Sequence, residues 1–134
     1  MNVVGVADTH TALWYLFGDR RLSVAARAFI EDAELARLKI AVSTISLVEV
    51  VYLGEKSRII AGAFETIMRC FADAEQVFVE APVDAAIAEA MQRVSRAQVP
   101  DMPDRIIAAT AYHYGLPLVT RDGKIRSCGI ETIW

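Results

Sequence analysis

The chain has 134 residues, a length that suits a single domain over residues 1–134 rather than two. With 54% hydrophobic residues it can bury a full core without staples, which excludes disorder and low complexity. The 14 Lys and Arg against 17 Asp and Glu leave a net charge of −3, so bulk charge argues against a protein that coats duplex DNA nonspecifically.

Compartment follows from what the chain lacks. Cys70 and Cys128 form no CxxC pair and are too few for a disulfide framework. The opening Met-Asn-Val-Val-Gly-Val-Ala-Asp has no basic start and meets an acid at Asp8, unlike a signal peptide. No apolar run reaches the ~18 residues of a membrane span. A soluble, cytoplasmic protein with no membrane partner is expected.

Val3–Ala7 reads as a strand buried on both faces. Thr9 to Phe17 carries Leu13, Leu16 and Phe17 at helical spacing and closes at Gly18. Ser23 can cap a second helix whose apolar face is Ala26, Phe29, Ile30 and Ala33. Ile40–Val42 is a second strand, followed by a helix over Thr44–Leu53 that ends at Gly54. The spacing of Ile60, Ala63, Phe64, Ile67 and Phe71 predicts one long helix over roughly 55–72. Val77–Glu80 is a third strand stopped by Pro82, and Val83, Ala86, Ile87, Ala90, Met91 and Val94 outline an amphipathic helix.

After a loop with two prolines, Asp104 to Tyr114 is the next helix. Pro103 sits at its permitted first turn and Gly115 is its stop. Leu116–Thr120 is a fourth strand and Ile130–Ile133 a fifth, at an edge. Strands alternate with helices throughout, which argues for an α/β layer fold around a mostly parallel sheet of about five strands flanked by helices.

Open parallel sheets bind ligands beyond the carboxyl ends of their strands, and four acids map there. Asp8 follows the first strand, and Glu49 lies about one turn into the helix after the second. Asp104 opens the helix that runs back into the fourth strand, and Asp122 follows that strand. Four carboxylates drawn together repel one another and resist desolvation, a cost that a divalent cation resolves. Oxygen-only ligands suit Mg²⁺ or Mn²⁺ rather than zinc. Such an ion acidifies a bound water.

Each acid also has a plain structural reading. Asp8 serves as a helix cap, Ser46-Leu47-Val48-Glu49 matches a capping box, Asp104 complements a helix N-terminus, and Asp122-Gly123 is a turn dipeptide. Only the joint placement at one edge favours a site over four separate caps. Asp101 is a possible fifth member, although an acid between prolines is usually just solvated. His10 and His113 have no partners at zinc-ligand spacing, and GxSxG, GxGxxG and GxxxxGK[ST] are all absent. Trp14, Tyr15 and Phe17 read as core before they read as base-stacking groups. Arg20, Arg21, Arg105, Arg121, Lys124 and Arg126 bring local positive charge that can hold phosphates.

Four segments resemble a known family. Val6-Ala7-Asp8-Thr9-His10, Ser46-x-x-Glu49, Asp101-x-Pro103-Asp104-Arg105-Ile106-Ile107-Ala108-Ala109 and Leu116-Pro117-Leu118-Val119-Thr120-Arg121-Asp122 are similar to the PIN domain, in particular to VapC-type toxins of bacterial toxin–antitoxin pairs. The resemblance runs through the whole chain in order. It implies a three-layer α/β sandwich with an acidic pocket at the carboxyl edge of its sheet. It also implies a Mg²⁺- or Mn²⁺-dependent endoribonuclease that cuts RNA needed for translation, with Asp8, Glu49, Asp104 and Asp122 holding metal. A homodimer, silenced by a cognate antitoxin that covers the pocket, is implied as well. Two positions depart from the pattern: Lys124 stands where many relatives carry a further acid, and Ile125 where an aromatic is common.

Two other classes compete with this reading. A magnesium-binding receiver-like signalling module has similar size, but needs an acid pair after the first strand and an Asp after the third, where this chain has Ala81-Pro82. A metal-free interaction protein on the same fold is the second. Within the nuclease class, a non-toxin enzyme of RNA processing or DNA cleavage is the alternative.

Overall fold

The computed structural model describes residues 2–134. Its strands are β1 (Val3–Ala7), β2 (Lys39–Ser43), β3 (Phe78–Ala81), β4 (Leu118–Val119) and β5 (Thr132–Ile133). They form one sheet in the order β3-β2-β1-β4-β5, and every adjacent pair is parallel. The helices are α1 (Thr9–Leu16), α2 (Val24–Leu35), α3 (Thr44–Glu55), α4 (Ala63–Ala72), α5 (Ala85–Ala90) and α6 (Met102–Tyr114). This is the α/β fold with a parallel five-stranded sheet expected from the sequence.

Successive strand residues alternate between two layers, because their side chains point to opposite faces. Val6 and Ala41 pack with Ile87 of α5 and Ile107 and Ala108 of α6. Their neighbours Ala7, Ile40 and Val42 pack instead with Ala12 of α1, Ile30 of α2 and Cys70 of α4. Helix α3 joins the second layer through Leu47 and Val50, which meet Leu13, Ala63 and Ile67. Close approach is visible at Gly5, where an added Cβ would stand 2.8 Å from Cε2 of Phe29. Helix α6 stops at Gly115, whose φ of 64° is the left-handed turn that closes a helix cheaply only with glycine.

The helix predicted over 55–72 is shorter than expected. Helix α3 runs through the predicted stop at Gly54 to Glu55, residues 56–62 are not helical, and α4 begins only at Ala63. Ser57 (φ 54°) and Gly62 (φ 84°) lie between them with positive φ. The connection lays Ala63 and Ile67 of α4 on Leu47 and Val50 of α3. The helix predicted across 83–94 is likewise short: Asp84 caps α5, and Met91–Arg93 tighten into a 3₁₀ turn. Arg105 explains that tightening. Its Nη2 and Nε donate to the carbonyls of Met91 (2.7 Å) and Val94 (2.9 Å), satisfying groups that a continuing helix would otherwise bond.

The capping box read at Ser46 is not formed. Ser43 is the N-cap of α3, so Ser46 and Glu49 lie inside the helix and Glu49 is left free for other contacts. The receiver alternative also fails on topology. In that class the third strand sits beside the first (order 2-1-3-4-5), but here β3 is an edge strand hydrogen-bonded to β2 alone.

Arg105→Met should therefore destabilise the domain by about 1–3 kcal/mol, because the Val94 carbonyl loses its charged donor and the Met91 carbonyl keeps only the Val94 N–H (3.1 Å). Urea unfolding measures this; an unchanged midpoint would show that the guanidinium contacts carry no weight.

Candidate active site

Strand order reverses between β1 and β4, since β2 and β3 lie on one side of β1 and β4 and β5 on the other. That switch point is where parallel sheets open a crevice at their carboxyl ends. The chain leaves β1 at Asp8, whose backbone N–H still donates to Val119 O (3.2 Å) in β4. Helix α6 runs antiparallel into β4, so its N-terminus returns to the same edge. A cleft of about 340 Å³ opens there, lined by Asp8, His10, Thr11, Trp14, Arg21, Asp104, Arg121 and Asp122.

Neighbours aim each acid. Asp8 caps α1 by accepting the Thr11 N–H on Oδ1 (2.9 Å), and its Oδ2 accepts the Thr120 hydroxyl (2.5 Å). Asp122 caps the 3₁₀ turn Gly123–Cys128 by accepting the Lys124 N–H (3.0 Å), while its own N–H donates to Thr120 Oγ1 (3.1 Å). Thr120 thus ties the acid after β1 to the acid after β4. Glu49 reaches toward α1, where its Oε1 accepts the Thr9 hydroxyl (2.5 Å). The buried Ser46 hydroxyl lies 2.8 Å from that Thr9 oxygen and completes the chain of contacts.

Asp101 proves to be the N-cap of α6, accepting the Asp104 N–H (3.1 Å), so it is a capping residue rather than a merely solvated one. Asp104 falls two places further into that helix than its sequence role as first residue implied, on the third helical residue. Its carboxylate makes no hydrogen bond among the described residues.

Electrostatics show what has been brought together. Burial pushes the Asp104 carboxyl up to about 7, and the charges of Asp101, Glu49, Asp8 and Asp122 push in the same direction. Burial also raises Glu49, against the Thr9 hydrogen bond, with Asp101 and Asp8 adding to the rise. Five carboxylates therefore share one field, Asp104 at its centre. Glu49 stands behind the cleft and does not line it.

The donor set fits a hard divalent cation: half-buried carboxylates in excess of their hydrogen-bond partners, with no thiolate or imidazole pair among them. Among the described residues, however, no three His, Cys, Asp or Glu side chains already enclose an ion. Convergence into one electrostatic unit is present, but a closed cage is not.

The same chain was compared with known proteins. The family model of the PIN domain matches residues 6–130. The chain belongs to the PIN domain family. Within that family it is 35% identical over 122 residues to Ribonuclease VapC22 of Mycobacterium tuberculosis, covering 90% of this chain and 88% of that protein. Similar solved folds include VapBC2 from Rickettsia felis bound to a promoter DNA fragment (TM-score 0.69, 15% identity, 96% of each chain covered). FitAcB from Neisseria gonorrhoeae is a second (TM-score 0.64, 17% identity, 96% of each chain). No helix among the described residues of this PIN domain is long and apolar enough to cross a membrane.

Sequence reasoning missed the hydroxyls. Thr9, Ser46 and Thr120 orient the acids, yet each looks in sequence like an ordinary helix-start or strand-end residue. Their signal was position: Thr9 follows Asp8 directly and Thr120 precedes Asp122 by two. Arg105 was misassigned, since its guanidinium is engaged by backbone carbonyls and does not line the cleft. The two departures from the family pattern have different fates. Ile125 is buried in the core, and Lys124 is exposed.

Unfolded Asp104 titrates at its ordinary 3.8 and the folded residue at about 7. Between those values the folded state holds more protons than the unfolded state, so metal-free stability is greatest below 3.8 and falls as pH rises toward 7. Asp104→Asn removes the charge and should melt a few degrees higher than the parent at pH 8, with the gap closing at pH 4. Thermal melting checks this; equal midpoints at pH 8 would mean the carboxylate is not under strain.

Proposed function

We propose that this PIN domain is a divalent-metal-dependent endoribonuclease, the toxin component of a type II toxin–antitoxin pair, with Asp8, Glu49, Asp104 and Asp122 as its catalytic and metal-holding residues. One observation carries the reading: the raised Asp104 carboxyl, held among other acids at the switch point of the sheet. The similarity to a VapC ribonuclease over nine-tenths of the chain supports the same conclusion from a different direction.

Roles follow from the contacts. Asp8, fixed by the Thr11 N–H and the Thr120 hydroxyl, and Asp122, tied to the same threonine, present oxygens into the cleft from two strands. Asp104, which has no hydrogen-bond partner, is the acid freest to take a cation. Glu49, braced by Thr9, supplies negative charge behind them. Mg²⁺ or Mn²⁺ bound here supplies charge neutralisation at the phosphate and an acidified water. Such hydrolysis requires no side-chain nucleophile, and the substrate is an accessible RNA strand.

One similar solved structure, from Klebsiella pneumoniae, is a toxin–antitoxin complex (TM-score 0.58, 24% identity). On that footing the reading extends to a cognate antitoxin as partner, a homodimer as the assembled toxin, and the cytoplasm as the compartment where its RNA lies.

Single-stranded RNA incubated with the protein should be cut in Mg²⁺ or Mn²⁺ and spared in EDTA. Asp8→Asn and Asp104→Asn should each reduce cleavage to background while keeping a cooperative melt. Cleavage surviving in both variants would discard the site, and preference for a matched DNA strand would replace the RNA reading with a DNA nuclease.

A further inference from the structure

Six basic residues crowd the sequence near this edge, and the structure sorts them. Arg105 is engaged by the Met91 and Val94 carbonyls, and the Arg126 Nε donates to the Thr132 hydroxyl. Arg20 and Lys124 are exposed and do not line the cleft. Only Arg21 and Arg121 among them line it together with Asp8, Asp104 and Asp122. Both guanidinium carbons lie 4.9 Å from the centroid of the Trp14 ring, which is 6% exposed.

The two are not equivalent. Arg21 donates through Nε and Nη2 to the two oxygens of Asp19 (3.0 and 2.7 Å), so its charge is matched and its fork largely taken. Arg121 has no carboxylate within ion-pair distance among the described residues, and its guanidinium makes no hydrogen bond there. It is nevertheless placed, because the indole face attracts and orients it. A guanidinium held over an aromatic ring keeps its N–H groups free for other partners, and little freedom is lost when they meet a phosphate in a two-pronged contact.

We propose that Arg121, stacked on Trp14, binds a phosphate of the RNA strand in this cleft, at a position next to the one being cut. The proposal rests on the ribonuclease reading and names the group that holds its substrate. A strand entering the cleft meets Asp8, Asp104 and Asp122, and a cation among those acids offsets the repulsion at one phosphate only. The adjacent phosphate needs a positive charge supplied by the protein, and Arg121 is the unmatched one lining the cleft among the described residues. Net charge is then no obstacle to RNA binding, because the attraction is local.

The probe is a fluorescein-labelled single-stranded RNA, bound in Mg²⁺ to protein carrying Asp104→Asn so that cleavage does not interfere. Adding Arg121→Ala should weaken binding about tenfold for any base sequence, and should flatten the dependence of log affinity on log salt by about 0.7, one phosphate contact on a single strand. Arg121→Lys should restore the salt slope but only part of the affinity, because an ammonium neither stacks nor bonds in two prongs. Arg37→Ala removes the same charge from an exposed residue at the opposite edge of the sheet and serves as the control. In the active protein, Arg121→Ala should act mainly on KM rather than kcat. Affinity and slope equal to the Arg37→Ala control would overturn the proposal, as would no binding of the probe by the parent. If RNA binds with the expected dependence on Arg121 but is never cut, the ribonuclease reading fails and this contact stands.

Discussion

The structure turns on a crowd of half-buried carboxylates that repel one another at the carboxyl edge of a parallel sheet. What keeps them there is the backbone. Parallel connections bring helix N-termini to that edge, and those ends offer unpaired N–H groups with a partial positive charge. Asp8 takes such a group from α1, Asp101 one from α6, and Asp122 one from the 3₁₀ turn after β4. Capping and site chemistry are thus the same contacts. Asp104 is the exception: its own N–H serves the Asp101 cap, its carboxylate accepts nothing among the described residues, and burial first, then the repulsion of the other acids, raises it to about 7.

The threonines matter for the same reason. Thr120 holds Asp8 through its hydroxyl hydrogen and accepts the Asp122 N–H on its oxygen, joining β1 to the segment after β4 across the reversal of strand order. Thr9 does the equivalent for Glu49 on α3. Three elements distant in sequence are set by two side-chain hydroxyls. The arrangement stops short of a finished cage: among the described residues no three such side chains enclose an ion.

Much of this was legible in the sequence. The valine-rich run before Asp8, the Leu-Pro-Leu-Val run before Thr120 and the stop at Gly115 placed β1, β4 and α6 because each signal is local. Gly54 marked the end of α3 to within a residue, but the length of the connection over 56–62 was not legible, since Ile60, inside it, keeps helical spacing with Ala63, Phe64 and Ile67. The start of α4 at Ala63 goes with its packing back onto Leu47 and Val50, a tertiary preference whose local marker is Gly62. The Ser46–Glu49 spacing misled in the other direction: it matches a capping box, but Ser43 at the end of β2 already holds the cap. Among the basic residues only the structure separates Arg105, engaged by carbonyls, from Arg121, which lines the cleft, because each is next to an aspartate in sequence, Asp104 and Asp122.

A carbon-13 NMR pH titration of the Asp104 carboxyl reads the central claim at its source. In metal-free protein its midpoint should lie at about 7, and Mg²⁺ should draw it down toward the ordinary 3.8 by compensating the surrounding charge. A midpoint already near 3.8, unmoved by Mg²⁺, would mean that these acids do not share a field and that no cation is needed to reconcile them.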